Sequence, residues 1–543
     1  MTTFDFIVVG AGSAGCVLAN RLTASGRHRV LLLEAGGVDN RFWMRVPIGY
    51  GKSFFDPRVN WMYHTEPDAG LADRRGYWPR GKVLGGSSTI NAMVFVRGQP
   101  SDFDAWAALG LPGWSWAEVL PYFKRLEDSD DGPNEWRGRG GPLHVSNVAT
   151  QVHPLCDAYL LAAEQLGLRR TADLNGASPD GVGINQITTR DGLRASASTA
   201  YLQPARSRAN LQVTTAAHAT AIVFDGTRAT GVRYRCGAPA SPEQTATARC
   251  EVIVAAGSIN SPQLLQLSGI GPAEALRALG IAVLVDRPAV GRHLQDHLCI
   301  DHLYRARVPT LNADLGTPLG QLRAGLRYLT QRRGPLALSV NQGGGFVRSR
   351  AGLVRPNLQL YFSPLSYTRA TPGQRKLMRP DPFPGFLLSA QPCRPTSRGH
   401  LALASADPFA APLIHPNSLA TEHDVQEMLE SSRFLRRLAA APALSAVIER
   451  ELAPGPSIDG DDELVADIRE RASTVFHPVS TCRMGTDPRE SVVDARLRVH
   501  GVQALRIVDA SAFPTLTSGN TNAPTLMLAE KGADLILEDL GTS

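Results

Sequence analysis

The feature that most constrains this chain lies in its first forty residues. Phe6-Ile7-Val8-Val9 is a short, β-branched apolar run and reads as a buried strand. Gly10-Ala11-Gly12-Ser13-Ala14-Gly15 follows at once, and from Cys16 to Ser25 the spacing of Val17, Leu18 and Leu22 predicts a helix. Val30-Leu31-Leu32-Leu33 predicts a second strand, which ends at Glu34. A G-x-G-x-x-G turn between strand and helix, with a carboxylate at the tip of the second strand, is the fingerprint of a dinucleotide site. The glycines permit a tight turn and let backbone N–H groups approach a pyrophosphate at the helix N-terminus. Gly10, Gly12, Ser13, Ala14 and Gly15 are therefore candidate cofactor residues, and Glu34, followed by Ala35, is placed to accept from a ribose hydroxyl. An ordinary glycine-rich turn would not need an acid 19 residues after Gly15. The unit grips an adenosine diphosphate half, so it leaves NAD and FAD both open.

The length of 543 residues allows two to four domains, with 43% apolar residues to fill their cores. No apolar run reaches the roughly 18 residues of a membrane span. Met1-Thr2-Thr3-Phe4-Asp5 lacks the basic start of a signal peptide. The net charge is +6, yet only five of the 56 cations are lysine and no basic stripe is interleaved with aromatics, which argues against nucleic acid. Attraction to anionic surfaces, and so peripheral contact with the inner face of a membrane, stays open. Seven cysteines without a C-x-x-C pair form a reduced, cytoplasmic pattern.

Beyond Gly36 the βαβ rhythm stops. A stretch from Val38 to Gly81 is rich in aromatics, Pro and Asp, and Glu127–Gly141 reads as an exposed polar loop. Strands are expected within Asn210–Val232 and at Cys250–Val254. Ser261-Pro262 is expected to open a helix, and Gly271-Pro272 another that closes at Gly280. Between Ile300 and Glu470 the pattern is mixed, with a helix at Glu422–Ala441 and strand-like alternation at Asn357–Phe362 and His400–Leu403. Leu505–Asp509 reads as a strand and Ala523–Leu540 as a closing helix. There is no internal repeat.

Three further stretches carry a resemblance. They are Gly81-Lys82-Val83-Leu84-Gly85-Gly86-Ser87-Ser88-Thr89-Ile90-Asn91, the run from Gly257-Ser258-Ile259-Asn260-Ser261-Pro262 to Gly271, and the C-terminal pair Phe476-His477-Pro478-Val479 and Ser518-Gly519-Asn520-Thr521-Asn522-Ala523-Pro524-Thr525. With Gly10–Gly15 and Glu34 they resemble the glucose–methanol–choline (GMC) oxidoreductases, FAD-dependent enzymes that oxidise alcohols. The spelling around His477 and Asn520 is most similar to the bacterial choline-dehydrogenase and alcohol-dehydrogenase branch.

The resemblance implies a two-domain α/β protein. Residues 1–155, 195–300 and 465–543 would form a Rossmann-like FAD domain. Residues 156–194 and 301–464 would form a substrate domain on an antiparallel sheet with helices. Val83, Gly86, Ser87 and Asn91 are expected along the cofactor, with Ala92, Met93 and Val94 on the pyrimidine side of the flavin. Ala219 is expected near the adenine, with Ala256 and Gly257 beside the adenosine half. Asp509 and Ala510 would reach the ribityl and pyrophosphate region, and Asn522 and Thr525 complete the set. Some relatives attach FAD through a His at the position of Ile90, which cannot form that bond, so FAD is expected to be noncovalent.

His477 is the expected base, since a group titrating near pH ~6.5 suits the proton that leaves as an alcohol loses hydride. Asn520 cannot take a proton and is expected to donate a hydrogen bond to the substrate oxygen. Phe476 either lines the substrate pocket or belongs to the core. His293 and His297 have a spacing that could ligate zinc on a helix, but they fall in a loop common to the family where no metal sits; no metal is expected. Cys482 reads as a packed hydrophobe. The expected reaction is oxidation of a primary alcohol to an aldehyde, with a quinone, another carrier or oxygen as electron acceptor. A choline dehydrogenase, a lyase or photodecarboxylase of the same fold, a flavin-binding protein without catalysis and an NAD enzyme are the alternatives. Neither the alcohol nor the oligomeric state can be read from the chain.

Overall fold

The computed structural model describes residues 3–367 and 379–541. In chain order, β1 (Thr3–Val9), α1 (Ser13–Thr23), β2 (Val30–Leu33), β3 (Leu211–Thr214), β4 (Ala217–Asp225), β5 (Arg228–Cys236), β6 (Glu243–Val254) and α2 (Gly257–Leu267) belong to a first sheet and its helices. A second sheet and its helices take β7 (Leu298–Ala306), α3 (Pro318–Gln331), β8 (Gly343–Val347), β9 (Leu358–Ser363), β10 (Gly385–Pro392), α4 (Glu422–Ala440) and β11 (Ile448–Ala453). The chain then returns to the first with β12 (Leu505–Ile507) and α5 (Asn522–Gly541).

The first sheet runs β3-β2-β1-β6-β5-β4, with β12 also on β6. Strands β3, β2, β1, β6 and β12 pair in parallel. Such strands are covered on both faces, which is why Phe6–Val9 and Val30–Leu33 are continuous apolar runs rather than alternating ones. Helices α1 and α5 are tied by the fully buried Glu530, which accepts from Arg21 and from the Tyr201 hydroxyl at 2.8 Å. The second sheet is antiparallel in the order β8-β9-β10-β7-β11, and α4 packs Met428, Phe434, Leu435 and Leu438 into its core. Residues Ser473–Thr474 pair with the start of β7, which joins the two halves of the molecule. Among the described residues no helix is long and apolar enough to cross a membrane.

Two local expectations need correction. Glu127–Gly141 is an exposed loop only in part: Asp130, Pro133 to Glu135, Arg139 and Gly140 are exposed, but the segment begins in a short strand, Glu127–Ser129, and buries two of its charges. Glu127 and Arg137 are fully buried beside Arg97; the Glu127 carboxylate accepts from Arg137 Nε at 3.0 Å and from the Gly138 N–H at 2.6 Å. A polar string looks solvated in sequence because its partners lie elsewhere. The second correction is the helix at Ser261-Pro262, which starts earlier, at Gly257, so that Pro262 lies inside it. Proline removes the N–H that would pair with Ser258, and the Thr481 hydroxyl bonds that carbonyl instead, at 2.7 Å.

Removing one partner of a buried ion pair strands the other. Glu127→Ala should therefore cost about 3–5 kcal/mol, seen as a lower apparent melting temperature. Asp128→Ala, whose ion pairs are partly exposed, should cost about 1 kcal/mol or less. Equal effects would mean that the buried cluster has no special weight.

Candidate active site

One cavity of about 1240 Å³ runs from Glu34 to Asn520, larger than the ~300–1,000 Å³ of most small-molecule pockets. At its adenosine end the Glu34 carboxylate accepts from the Ala11 N–H at 2.9 Å and the Gly36 N–H at 2.8 Å. It thus holds the glycine turn in shape, and burial pushes it up to about pH 7. The further lone pairs of its oxygens are what a ribose hydroxyl would use. Ser13 donates to Asn522 Oδ1 at 2.7 Å, which ties the turn to the start of α5. Asp509 accepts from the Gly257 N–H at 2.8 Å and from Ser261 Oγ at 2.5 Å, so it caps α2 while lining the same cleft.

The middle of the cleft is formed by backbone. A Cβ on Gly15 would lie 1.8 Å from the Gly10 oxygen, and one on Gly86 would lie 2.7 Å from Gly12 Cα. The two glycine loops therefore touch. Asn91 follows, its amide oxygen taken by Arg194 Nη1 at 2.8 Å and the Met93 N–H at 3.1 Å, leaving its NH2 for the cleft.

At the far end stands His477. Burial, reinforced by nearby His297 and Arg80, holds it well below the ordinary imidazole value, so it is neutral at pH 7. Its ring is placed by long-range contacts. Asp296 accepts from the His477 N–H at 2.7 Å and the His297 N–H at 2.9 Å, and from the Thr474 hydroxyl. Phe476, just before it, has φ +72°, a conformation costing on the order of 1–2 kcal/mol for a bulky residue. Arg80 Nη2 donates to the Phe476 carbonyl at 2.6 Å and Thr474 Oγ1 accepts its N–H at 2.7 Å, which holds the turn.

The hydrogen bonds around the ring determine where its proton sits. His297 Nε2 lies 3.1 Å from the Cys393 carbonyl, which only accepts, so this nitrogen carries the hydrogen. Burial pushes His297 down to about 4, so it is neutral and its Nδ1 is bare. That Nδ1 lies 3.0 Å from His477 Nδ1, which must donate. His477 Nε2 is then bare, and it faces Asn520 Nδ2 at 3.2 Å. The orientation of Asn520 is fixed in turn, because its Oδ1 accepts from Gln359 Nε2 at 3.1 Å, and Gln391 donates to Gln359 Oε1 at 2.9 Å. A bare basic nitrogen and an amide donor thus face one another beside the cavity, an arrangement suited to taking a hydroxyl proton while holding its oxygen.

Family models described as GMC oxidoreductase match residues 4–299 and 395–529. The chain belongs to the GMC oxidoreductase family. Its curated relatives include the mitochondrial choline dehydrogenase of Mus musculus, 43% identical over 98% of this chain and 89% of that protein. An alcohol dehydrogenase [acceptor] of Pseudomonas putida is 41% identical over 98% of this chain and 96% of its own. Among solved structures, pyridoxine 4-oxidase from Mesorbium loti superposes with a TM-score of 0.87 at 32% identity, covering 98% of each chain.

The residues of this GMC oxidoreductase fit a flavin dinucleotide. The touching glycine loops leave a groove only a backbone can line, and the cavity has room for a dinucleotide and a substrate together. Gly10, Gly12, Ser13, Ala14, Glu34, Ala35, Gly86, Ser87, Asn91 to Val94, Ala219, Ala256, Gly257, Asp509, Ala510, Asn522 and Thr525 all line it, as do Phe476, His477 and Asn520. Gly15 and Val83 do not. Gly15 is packed against Gly10, and Val83 is fully buried with Met44, Val59 and Ile90, so both shape the wall from behind. Phe476 is both cavity wall and packing residue, edge-on to Phe54 at 5.5 Å between ring centres. His293 and His297 are not on a helix, and the described residues contain no cluster that could hold a metal ion. Sequence reasoning missed Asp296, Arg80 and Gln359, and treated His297 only as a metal candidate. No local pattern marks them, because their partners lie 161 to 396 residues away.

Replacing His297 tests this array. His297→Phe leaves the His477 Nδ1–H buried without an acceptor, a penalty of about 1–3 kcal/mol that favours the unreactive tautomer. Flavin reduction by alcohol should slow roughly 5- to 150-fold at unchanged flavin content. His297→Gln, with an acceptor and a donor on one amide, should recover most of the rate. A Phe variant as fast as wild type would remove His297 from the array.

Proposed function

We propose that this enzyme oxidises a primary alcohol to the aldehyde, with noncovalent FAD as cofactor and His477 as the base. The observation that carries this reading is the bare His477 Nε2 beside the Asn520 amide donor, at the end of a cleft lined by the dinucleotide turn. Bound FAD supplies the hydride acceptor. Glu34, Ala35 and Ala219 would hold its adenosine end, Gly12, Ser13, Asp509 and Ala510 its phosphates and ribityl chain, and Asn91 to Val94 its flavin. The alcohol oxygen accepts from Asn520 Nδ2 and gives its proton to His477 Nε2. His477 Nδ1 donates to His297, which helps spread the positive charge that results. Tyr50, Phe54 and Phe476 exclude water from the reacting carbon. A quinone, another carrier or oxygen completes the cycle as electron acceptor.

The same reading divides the chain into an FAD domain (1–155, 195–300 and 465–543) and a substrate domain (156–194 and 301–464), supported by the two sheets and their separate cores. It places the protein in the cytoplasm, which its seven free thiols support. Choline is a second substrate reading. The aromatic rings of Tyr50, Phe54 and Phe476 can face a quaternary ammonium, and the mouse relative is named for that substrate.

Anaerobic addition of a primary alcohol should bleach the flavin of the wild-type protein. His477→Ala should keep its FAD and bleach about 10²–10⁴ times more slowly. No bleaching of wild type by any alcohol, choline included, would favour a lyase or photodecarboxylase on this fold. His477→Ala within a few-fold of wild type would remove it as the base.

Acid precipitation should release all the yellow colour into the supernatant, since buried Ile90 offers no atom for a bond. Colour retained in the pellet would require a covalent anchor elsewhere.

A further inference from the structure

Helix α3, Pro318–Gln331, turns only a narrow stripe inward. Gly320, Ala324 and Tyr328 are buried, and Tyr328 packs on Val46 and Ala337. At 100° per residue the opposite face carries Leu319, Leu322, Leu326 and Leu329, which are 57–69% exposed. Leucines exposed singly are ordinary; four at helical spacing on one outward face make a continuous apolar strip. They are four of the eleven large apolar side chains exposed among the described residues.

The charge on the helix and just after it has one sign. Arg323 and Arg327 flank it, Arg332 and Arg333 follow its end, and all four are exposed. From Leu315 to Gly345 the sequence holds these four arginines and no acidic residue, while Arg348 and Arg350 further on are paired with Asp180 and Glu427. The segment after Val38 adds to this surface. Val46, against which Tyr328 packs, directly follows the short helix Phe42–Arg45. Phe42 is 54% exposed there, and Lys52 Nζ lies 3.7 Å over the partly exposed Trp43 ring.

We propose that this face docks on a bilayer rich in anionic lipid, with the α3 leucines entering the interface and the arginines meeting the headgroups. Leucines opposite an inward stripe, beside long cationic side chains, are the composition of a helix lying in a membrane surface, and the four exposed arginines match anionic lipid. A second copy of the chain would instead bring these arginines against each other. The docked face adjoins the reacting end of the cavity. Tyr50 and Phe54, a few residues beyond Val46, line that cavity and cluster with Leu311, Leu338 and Phe476. An apolar alcohol or carrier dissolved in the bilayer would thus have a short route to the site.

The test is flotation of the FAD-loaded protein with vesicles of phosphatidylcholine alone or with about a third phosphatidylglycerol, an anionic headgroup. Wild type should float with the anionic vesicles at least tenfold more than with the neutral ones. Leu322→Gln/Leu326→Gln and Arg323→Gln/Arg327→Gln should each lose at least tenfold of that binding. Both should keep the wild-type FAD content and melting temperature, which shows intact folding. Wild type that stays unbound, or a leucine variant that floats as wild type does, overturns the proposal. So does a wild-type dimer that the leucine substitutions split, since the strip would then be a subunit interface. Because binding is read without turnover, these outcomes are independent of whether the alcohol reading holds.

Discussion

A side chain on Gly86 would strike Gly12, and one on Gly15 would strike Gly10. This backbone contact between two loops more than seventy residues apart is the constraint from which the rest of the molecule follows. It is reinforced by the Gly85 N–H, which donates to the Ala11 carbonyl at 2.7 Å. With the loops in contact, a long cofactor can lie only along the groove they share. The chain leaving the second loop, from Ile90 to Val94, then carries that groove toward the second sheet. Position, more than any single polar contact, is what the glycines provide.

The reacting end rests on a different device. Pairing of Leu298 with Thr474 and of Cys299 with Ser473 brings the residues before β7 against the turn that presents His477. Asp296 is buried in that junction, and burial raises it to about 6 despite the N–H groups it accepts. Its bonds to both histidine backbones set their separation, and the hydrogen bond between their rings sets the tautomer. Water exclusion serves two ends here: it keeps His477 neutral, and it strengthens each hydrogen bond that orients it. The left-handed conformation of Phe476 is sustained by bonds from two directions, as backbone strain at a working site generally must be.

How much of this was legible varied with the range of the interaction involved. The strands Phe6–Val9 and Val30–Leu33, the turn between them and the helix Glu422–Ala440 are local matters of periodicity and turn chemistry, and the chain spells them out. His477 and Asn520 were legible through their motifs. The helix starting at Gly257 was misplaced because Pro262 reads locally as a first-turn residue, while the hydroxyl that compensates for it belongs to Thr481. Glu127 and Arg137 look solvated for the same reason: their burial depends on Arg97, Asp173 and Gln186.

By itself the sequence determined the glycine turn after β1, the acid at the tip of β2 and the family, and it singled out His477 and Asn520, which the structure brings within 3.2 Å of each other. These depend on residue type at short spacing, where backbone geometry leaves few alternatives. Only the tertiary structure decided that Gly15 and Val83 stand behind the cleft wall, that His297 lies against the His477 ring, and that the α3 leucines face outward. Each of these depends on what packs against a side chain from far along the chain, and an amphipathic pattern does not say which of its faces will be covered.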